Sequence, residues 1–313
     1  MIHIYTGKEI LELSLDSKPY LIHPILPGEG NILFHGSAGV GKSTMMWQLC
    51  NNVVTGTDFL GMKAVQGKVL FISLDMPLWA IQQRWKASQF EAKFDVAVGS
   101  PFECLSPGFH LGETYTVLKQ AYIERKYKLI VVDSLGRVCI THSMSDDTVP
   151  KQVYPFFNKW FPNTTILFIH HDKKHVLLPS GQYAKPTEED ATGSKYWIND
   201  AITTLHLWRV NKSIVKLEQG KSQAGPTLNE TIGGAIDLFM DETGTKMEIW
   251  GEHKQKSEAD ALILAETQLR KEHEKWDTYP ITKKVQMLSL MCGKSIPTIN
   301  RWRKSAENSK ELV

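Results

Sequence analysis

The sequence predicts an α/β protein: a mainly parallel sheet covered by helices, an antiparallel edge, and a small all-α module at the C-terminal end. Three observations carry that class. Short runs that are apolar throughout and rich in β-branched residues alternate with helical patterns as far as residue 170, as strands buried on both faces require. A glycine-rich phosphate-loop pattern stands between the first run and the first helical pattern, the context in which such a loop is built. A basic block near the C-terminal end departs in composition from everything before it.

Taken in order, the strands are expected at 31–35 (NILFH), 68–74 (KVLFISL), 128–133 (KLIVVD) and 164–170 (TTILFIH). Helical patterns cover 43–54, 78–92, 113–126 and 149–160 between them. Later strands are expected at 201–208 and 213–218, then as AIDLFM and KMEIW around the turn DETGT. These have no helix between them, so they form the antiparallel edge. The first 17 residues are a strand or helix packing on the core. Residues 257–276 form a charged amphipathic helix. The expected organisation is therefore an α/β domain over 1–250, a linker helix over 251–280 and a basic helical module over 281–313.

Composition narrows the function classes. Of 313 residues, 36 are Lys or Arg and 34 Asp or Glu, for a net charge of +2; 42% are hydrophobic. That is the balance of a globular protein, and it argues against a disordered or fibrous chain. The window 281–305 holds Lys283, Lys284, Lys294, Arg301, Arg303 and Lys304 and no acid, so it contributes +6 and leaves −4 for the rest. The local excess marks a separate partner-facing module. Four scattered cysteines, no signal-peptide start and no apolar run long enough for a bilayer lead to the expectation of a cytoplasmic protein without a disulfide framework and without membrane contact.

The strongest signal is GSAGVGKS, from Gly36 to Ser43, which fits G-x-x-x-x-G-K-[ST]. Glycines 36, 39 and 41 let the backbone of Gly36, Ser37, Ala38, Gly39, Val40 and Gly41 fold so that its N–H groups converge on phosphate. The helix start at Lys42, Ser43 and Thr44 adds donors and a positive dipole end. Lys42 supplies charge to the β- and γ-phosphates of ATP, and Ser43 a hydroxyl to Mg2+. Asp133, ending the strand KLIVVD, fits the Walker B carboxylate that holds Mg2+ through water. Serine rather than glutamate follows it, so the carboxylate that activates water must lie elsewhere. Asp75, at the end of a neighbouring strand (VLFISLDMP), is the candidate. The competing reading is a helix N-cap before Pro77.

SLDMPLWAIQQRWKAS (73–88) resembles the SLEMP…R segment of DnaB-type replicative helicases. FHGSAGVGKS, KVLFISLDMP, LIVVDSLGR and FIHHDKK follow one another in the order found across RecA-like ATPases, and the double histidine is closer to RepA-type hexameric helicases. The resemblance covers about residues 18–250. It departs at Asp75, where those helicases usually carry Glu. It implies a RecA-like fold and a homo-oligomer, expected as a hexameric ring, with ATP between subunits. KSQAGPT (221–227) is similar to the helicase segment K-x-R-x-G-P-T: Lys221 matches the lysine that reaches the neighbour's γ-phosphate, and Gln223 stands where DnaB-type proteins have an arginine finger. Arg209 is a second candidate for that role. His170 aligns with the position that senses γ-phosphate and relays it to a DNA-binding loop. Its neighbour His171 is read as strand-end packing. A metal cluster in HHDKKH is a further alternative, though no carboxylate or cysteine pattern completes it.

The resemblance also assigns two loops, 135–148 and 173–194, to a channel for single-stranded DNA. Arg137 in the first, and Lys173, Lys174 and Lys185 with Tyr183 in the second, suit phosphate contact and base stacking. A merely mobile surface loop fits the same composition. Residues 281–305 read as two short helices around Cys292-Gly293-Lys294. Val285, Leu288 and Met291 share one apolar face, and Ile296, Ile299 and Trp302 another. A helix-turn-helix would present Lys294, Thr298, Asn300, Arg301 and Lys304 to duplex DNA; a subunit-docking module is the alternative. The expected function is a replicative DNA helicase or translocase driven by ATP. A RecA/RadA-like recombination ATPase and a DNA-binding loader that uses ATP as a switch remain open.

Overall fold

Every expected strand is present and starts within two residues of its expected position. A computed structural model of the chain describes residues 6–12, 20–88, 90, 94–173, 187, 190–211, 214–241, 244–250, 262, 265–266, 268–273, 275–292 and 294–310. In chain order the elements are α1 (Gly7–Glu12), β1 (Tyr20–Ile22), β2 (Leu26–Pro27), β3 (Gly30–Gly36), α2 (Lys42–Thr55), β4 (Val69–Ser73) and α3 (Leu78–Ser88). They continue with β5 (Asp95–Val98), α4 (Glu113–Arg125), β6 (Leu129–Asp133), α5 (Thr148–Trp160), β7 (Thr165–His171), α6 (Tyr196–Asn199), β8 (Thr203–Arg209) and β9 (Ile214–Ser222). The last are α7 (Leu228–Ile232), β10 (Ile236–Met240), β11 (Met247–Ile249), α8 (Ile281–Cys292) and α9 (Ile296–Lys310).

The main sheet runs β11-β10-β9-β8-β3-β7-β6-β4-β5. The six strands from β8 to β5 are parallel, and β9 and β10 continue the sheet antiparallel. This is the expected RecA-like arrangement, with one addition: β5 pairs with β4 at the far edge. Its four residues carry too little pattern to stand out in the sequence. Side chains alternate between the sheet faces. In β4, Phe71 joins Trp47, Trp85 and Phe94 beside α2 and α3, whereas Leu70 and Ile72 join the core containing Tyr154, Phe157 and Trp160 of α5. The helix expected over 78–92 ends at Ser88, and Phe94 beyond it is buried in the aromatic cluster. α2 stops at Gly56, whose left-handed φ of 72° closes the helix with a bond to Asn52 O. The N-terminal segment forms α1, and its described side chains Lys8, Glu9 and Glu12 are exposed.

The chain divides into two units, Met1–Met247 and Glu248–Val313. In the second, Leu262, Ala265, Leu269 and Trp276 share one core with Val285, Leu288, Ile299 and Trp302. The segment expected as a separate linker helix thus packs with α8 and α9. Two short helices have too little apolar surface to make a core alone. Met291 and Ile296, expected on the apolar faces, are 41% and 43% exposed.

Candidate nucleotide-binding site

Four adjacent parallel strands, β3, β7, β6 and β4, end on the same side of the sheet, so the residues just after them meet. From β3 the chain enters the phosphate loop. Gly36 is required by packing: a Cβ there would lie 2.2 Å from the Leu207 carbonyl oxygen of β8. Gly41 has φ 103° and caps α2, a backbone that L side chains avoid. Lys42 Nζ, buried, donates to Gly36 O at 2.7 Å and Ser37 O at 2.9 Å. Burial lowers its pKa to about 8, against the pull of Asp172 and Asp133.

Ser43 Oγ donates to Asp133 Oδ2 at 2.9 Å. A hydroxyl and a carboxylate at that separation suit the octahedral, oxygen-only shell of Mg2+. Burial pushes the Asp133 carboxyl up, opposed by the Ser43 bond and by the cations Arg84 and Lys42; a divalent ion would relieve that cost. Asp75 sits beside this pair. Its Oδ2 accepts from Ser134 Oγ at 2.9 Å and its Oδ1 from Arg137 Nε at 2.5 Å. Arg137, expected on DNA, is here an ion-pair partner of the candidate base.

The two histidines divide as strand alternation requires. His171, expected only to pack, has Nδ1 3.3 Å from Lys42 Nζ and lines the cavity above the loop with Ser43, Thr44, Arg84 and Asp133. His170, expected at the phosphate, turns away. Its Nε2 lies 2.6 Å from Thr192 O, and burial lowers its pKa to about 4. The contact with Lys42 and the contact with Thr192 therefore fall on two neighbouring residues.

Lys221 lies on β9 and Arg209 ends β8, where the sheet turns from parallel to antiparallel. Lys221 Nζ donates to Asn199 O, and its backbone N–H to Thr204 Oγ1 at 2.8 Å. Arg209 Nη2 donates to Gly39 O at 3.1 Å, within the phosphate loop of its own chain. Lys173 is exposed, its backbone N–H bonded to Asp190 O at 2.8 Å. Lys174, Tyr183 and Lys185 lie outside the described residues. In the second unit Lys294, Asn300, Arg301 and Lys304 are exposed, and Thr298 Oγ1 is 2.9 Å from Ser295 Oγ.

A buried polar cluster beneath the loop escaped the sequence reading. Asp172 accepts from His35 Nδ1 at 2.7 Å on one oxygen and from His206 Nε2 at 2.8 Å on the other, bridging two imidazoles whose rings stack 4.2 Å apart. Its N–H also donates to Gly36 O at 3.1 Å. Burial pushes this carboxyl up, but the bonds from His206 and His35 outweigh it and hold the group ionised. His35 and His206 face each other in the β3–β8 register, which single histidines in two separated strands do not reveal. A larger cavity of about 580 Å3 lies along β9 and α7, lined by His206, Gln219 and Asn229; the nucleotide site, with about 300 Å3, is identified by its donors and not by its volume.

A family profile described as the AAA domain matches residues 8–175, more than half of the chain. Among curated proteins there is no match. Among solved structures, an ATPase domain superposes with a TM-score of 0.51 at 12% identity, over 70% of this chain and 84% of that one. At that identity the likeness establishes the fold. Among the described residues no helix is long and apolar enough to cross a membrane.

Proposed function

The chain belongs to the AAA domain family, and from that premise we propose that it is an ATP-hydrolysing motor that moves on single-stranded DNA as an oligomeric ring, with a helicase role in replication. One observation carries this reading: two carboxylates, Asp133 at the end of β6 and Asp75 just past the neighbouring β4, lie close together, Asp133 on Ser43 and Asp75 on Ser134. This reading gives the ion to Asp133 and the water to Asp75.

The N–H groups from Gly36 to Thr44 cradle the triphosphate, and Lys42 offsets its charge. Ser43 and Asp133 would hold Mg2+, which when bound neutralises charge on the phosphate oxygens. Asp75 accepts the proton of the attacking water or orients it. To do so it must release Arg137, which occupies Oδ1. Arg137 lies in the loop expected to meet DNA, so phosphates of a bound strand compete with Asp75 for it. His171 beside Lys42 and His170 on Thr192 give a second route, because adjacent residues of β7 touch the nucleotide pocket and the C-terminal end of the second candidate DNA loop. Lys221 is proposed to act on a neighbouring subunit, and the face with Lys294, Thr298, Asn300, Arg301 and Lys304 to meet duplex DNA.

The Asp75–Arg137 bond also favours a second reading, a loader that hydrolyses ATP slowly and uses it as a switch. A forked-duplex displacement assay separates the two. Displacement that needs ATP and disappears in Lys42→Ala supports the motor. Hydrolysis stimulated by DNA without displacement supports the loader. Hydrolysis indifferent to DNA, with no DNA bound, sinks both.

A further inference from the structure

Two cysteines far apart in the sequence meet in the fold. Cys104, beyond β5, and Cys139, in the loop after β6, are both buried, with their Sγ atoms 3.5 Å apart. The backbone brings them together: Phe102 N–H donates to Arg137 O at 2.9 Å and Cys104 N–H to Val138 O at 2.8 Å. Glu103 stands opposite Cys139 in an antiparallel bridge. A carboxylate oxygen of Glu103 and the two Sγ atoms all lie within 4.8 Å of one another. His142 joins them, with Nδ1 3.1 Å from Glu103 Oε2. A Cys-x-x-His step at 139–142 thus faces a Glu-Cys step at 103–104, and none of the four belongs to the nucleotide site.

The distances discriminate between uses of the two thiols. A disulfide needs its sulfurs about 2.05 Å apart. Two thiolates on one tetrahedral zinc, each about 2.3 Å from the ion, stand about 3.8 Å apart. The observed separation is close to the second and far from the first. Packing alone also brings two thiols into contact, but it does not call for a carboxylate and an imidazole at the same place. The Cys139 thiol and burial raise the Cys104 thiol well above its ordinary pKa. Such a thiol is a poor nucleophile toward oxidants, whereas a bound divalent ion deprotonates it outright.

We propose that Cys104, Cys139, Glu103 and His142 form a site for a borderline-soft divalent cation of the zinc class, stapling the segment after β5 to the first candidate DNA loop. Two sulfurs, one imidazole nitrogen and one carboxylate oxygen make a tetrahedral ligand set that zinc favours. The ion replaces the two thiol protons, which pass to solvent. Glu103 Oε1 accepts from Leu105 N–H at 3.0 Å, and a carboxylate oxygen can serve a second partner. The His142 side chain, 38% exposed, gives the ion its way in, and its bond to Glu103 is exchanged for bonds to the metal. The site is independent of the nucleotide reading. Its effect is to fix the base of the loop that carries Arg137.

The test is metal analysis of the untagged full chain, purified under reducing conditions without chelator and equilibrated with zinc, together with a cobalt(II) titration read by absorption. Wild type, Cys104→Ser, Cys139→Ser and His142→Ala are compared, with Cys292→Ser as the control and circular dichroism as the check on folding. The expected result is one zinc per chain and a thiolate-to-cobalt charge-transfer band. The band disappears in Cys104→Ser and in Cys139→Ser and persists in Cys292→Ser. In His142→Ala the zinc Kd rises roughly 10- to 100-fold or more. Wild type without zinc, a cobalt spectrum without the band, or zinc held equally well by Cys139→Ser would each overturn the proposal. So would a chain isolated from the cell with Cys104 and Cys139 joined as a disulfide, which would make the pair a redox site instead. Should a cysteine variant fail to fold, the wild-type spectrum and His142→Ala, which alters a partly exposed side chain, decide the matter.

Discussion

At the scale of single residues, the site is an arrangement of charges in which two carboxylates have different surroundings. Asp133 is buried against a hydroxyl, and Asp75 is tied to Arg137. Asp75→Asn keeps the hydrogen-bonding shape and removes the proposed base. It is expected to cut kcat by roughly 100-fold or more while nucleotide affinity stays within a few-fold; steady-state hydrolysis and nucleotide titration check this. Arg137→Ala is expected to raise DNA-independent hydrolysis and reduce the stimulation by an oligonucleotide, since it removes the restraint DNA has to displace. A slower basal rate with intact stimulation would mean that Arg137 positions Asp75 for the reaction instead. His170 bears on stability. Its pKa is about 4 folded, against an ordinary 6.5, so the unfolded chain binds the extra proton between those values. Stability contributed above about pH 6.5 is therefore lost as pH falls toward 4, by roughly 3 kcal/mol. His170→Gln is expected to flatten that limb in melting curves taken from pH 7 to 4.

At the scale of elements, close packing decides what the strands tolerate. Gly36 ends β3 against the Leu207 carbonyl of β8, a backbone atom that cannot move aside as a flexible side chain would. Gly36→Ala is expected to destabilise the first unit by roughly 1–3 kcal/mol through overpacking, read as a lowered denaturation midpoint, and to weaken nucleotide binding with it. In the second unit the exposed and buried faces of α9 separate binding from folding. Arg301 and Lys304 are exposed while Ile299 and Trp302 are buried. Replacing Arg301 and Lys304 together by alanine is expected to weaken duplex binding and lower the salt-dependence slope by about 2, with the melting temperature unchanged. Fluorescence anisotropy across a salt series measures both quantities. An unchanged slope would leave α8 and α9 as a protein-docking module.

For the whole molecule, the question is whether Lys221 works on a neighbouring subunit. Lys42→Ala and Lys221→Ala should each be inactive in hydrolysis. Mixed in equal amounts, they should recover up to about one quarter of the wild-type rate, because heterologous contacts in a mixed ring pair an intact pocket with an intact lysine at that frequency. No recovery would place Lys221 in a purely internal role, consistent with its bond to Asn199 O.

Much of this arrangement was legible in the chain itself. Strand starts, the order of helices and the glycine-lysine turn follow from local periodicity and backbone preference, which neighbouring residues determine among themselves. The carboxylates Asp75 and Asp133 could be chosen because strand ends gather ligand chemistry wherever parallel strands stand side by side. What only the tertiary structure decided are relations across the sheet. Alternation along β7 says that His170 and His171 face opposite ways, but not which of them meets Lys42. Single histidines in β3 and β8 give no sign of sharing Asp172, and the loop lysines and arginines give no sign that Arg137 would turn back to Asp75. The four residues of β5 were invisible, and the supposed linker proved part of a core with α8 and α9. The reason is that burial, register and pairing are properties of segments distant along the chain, and a local pattern contains only half of each contact.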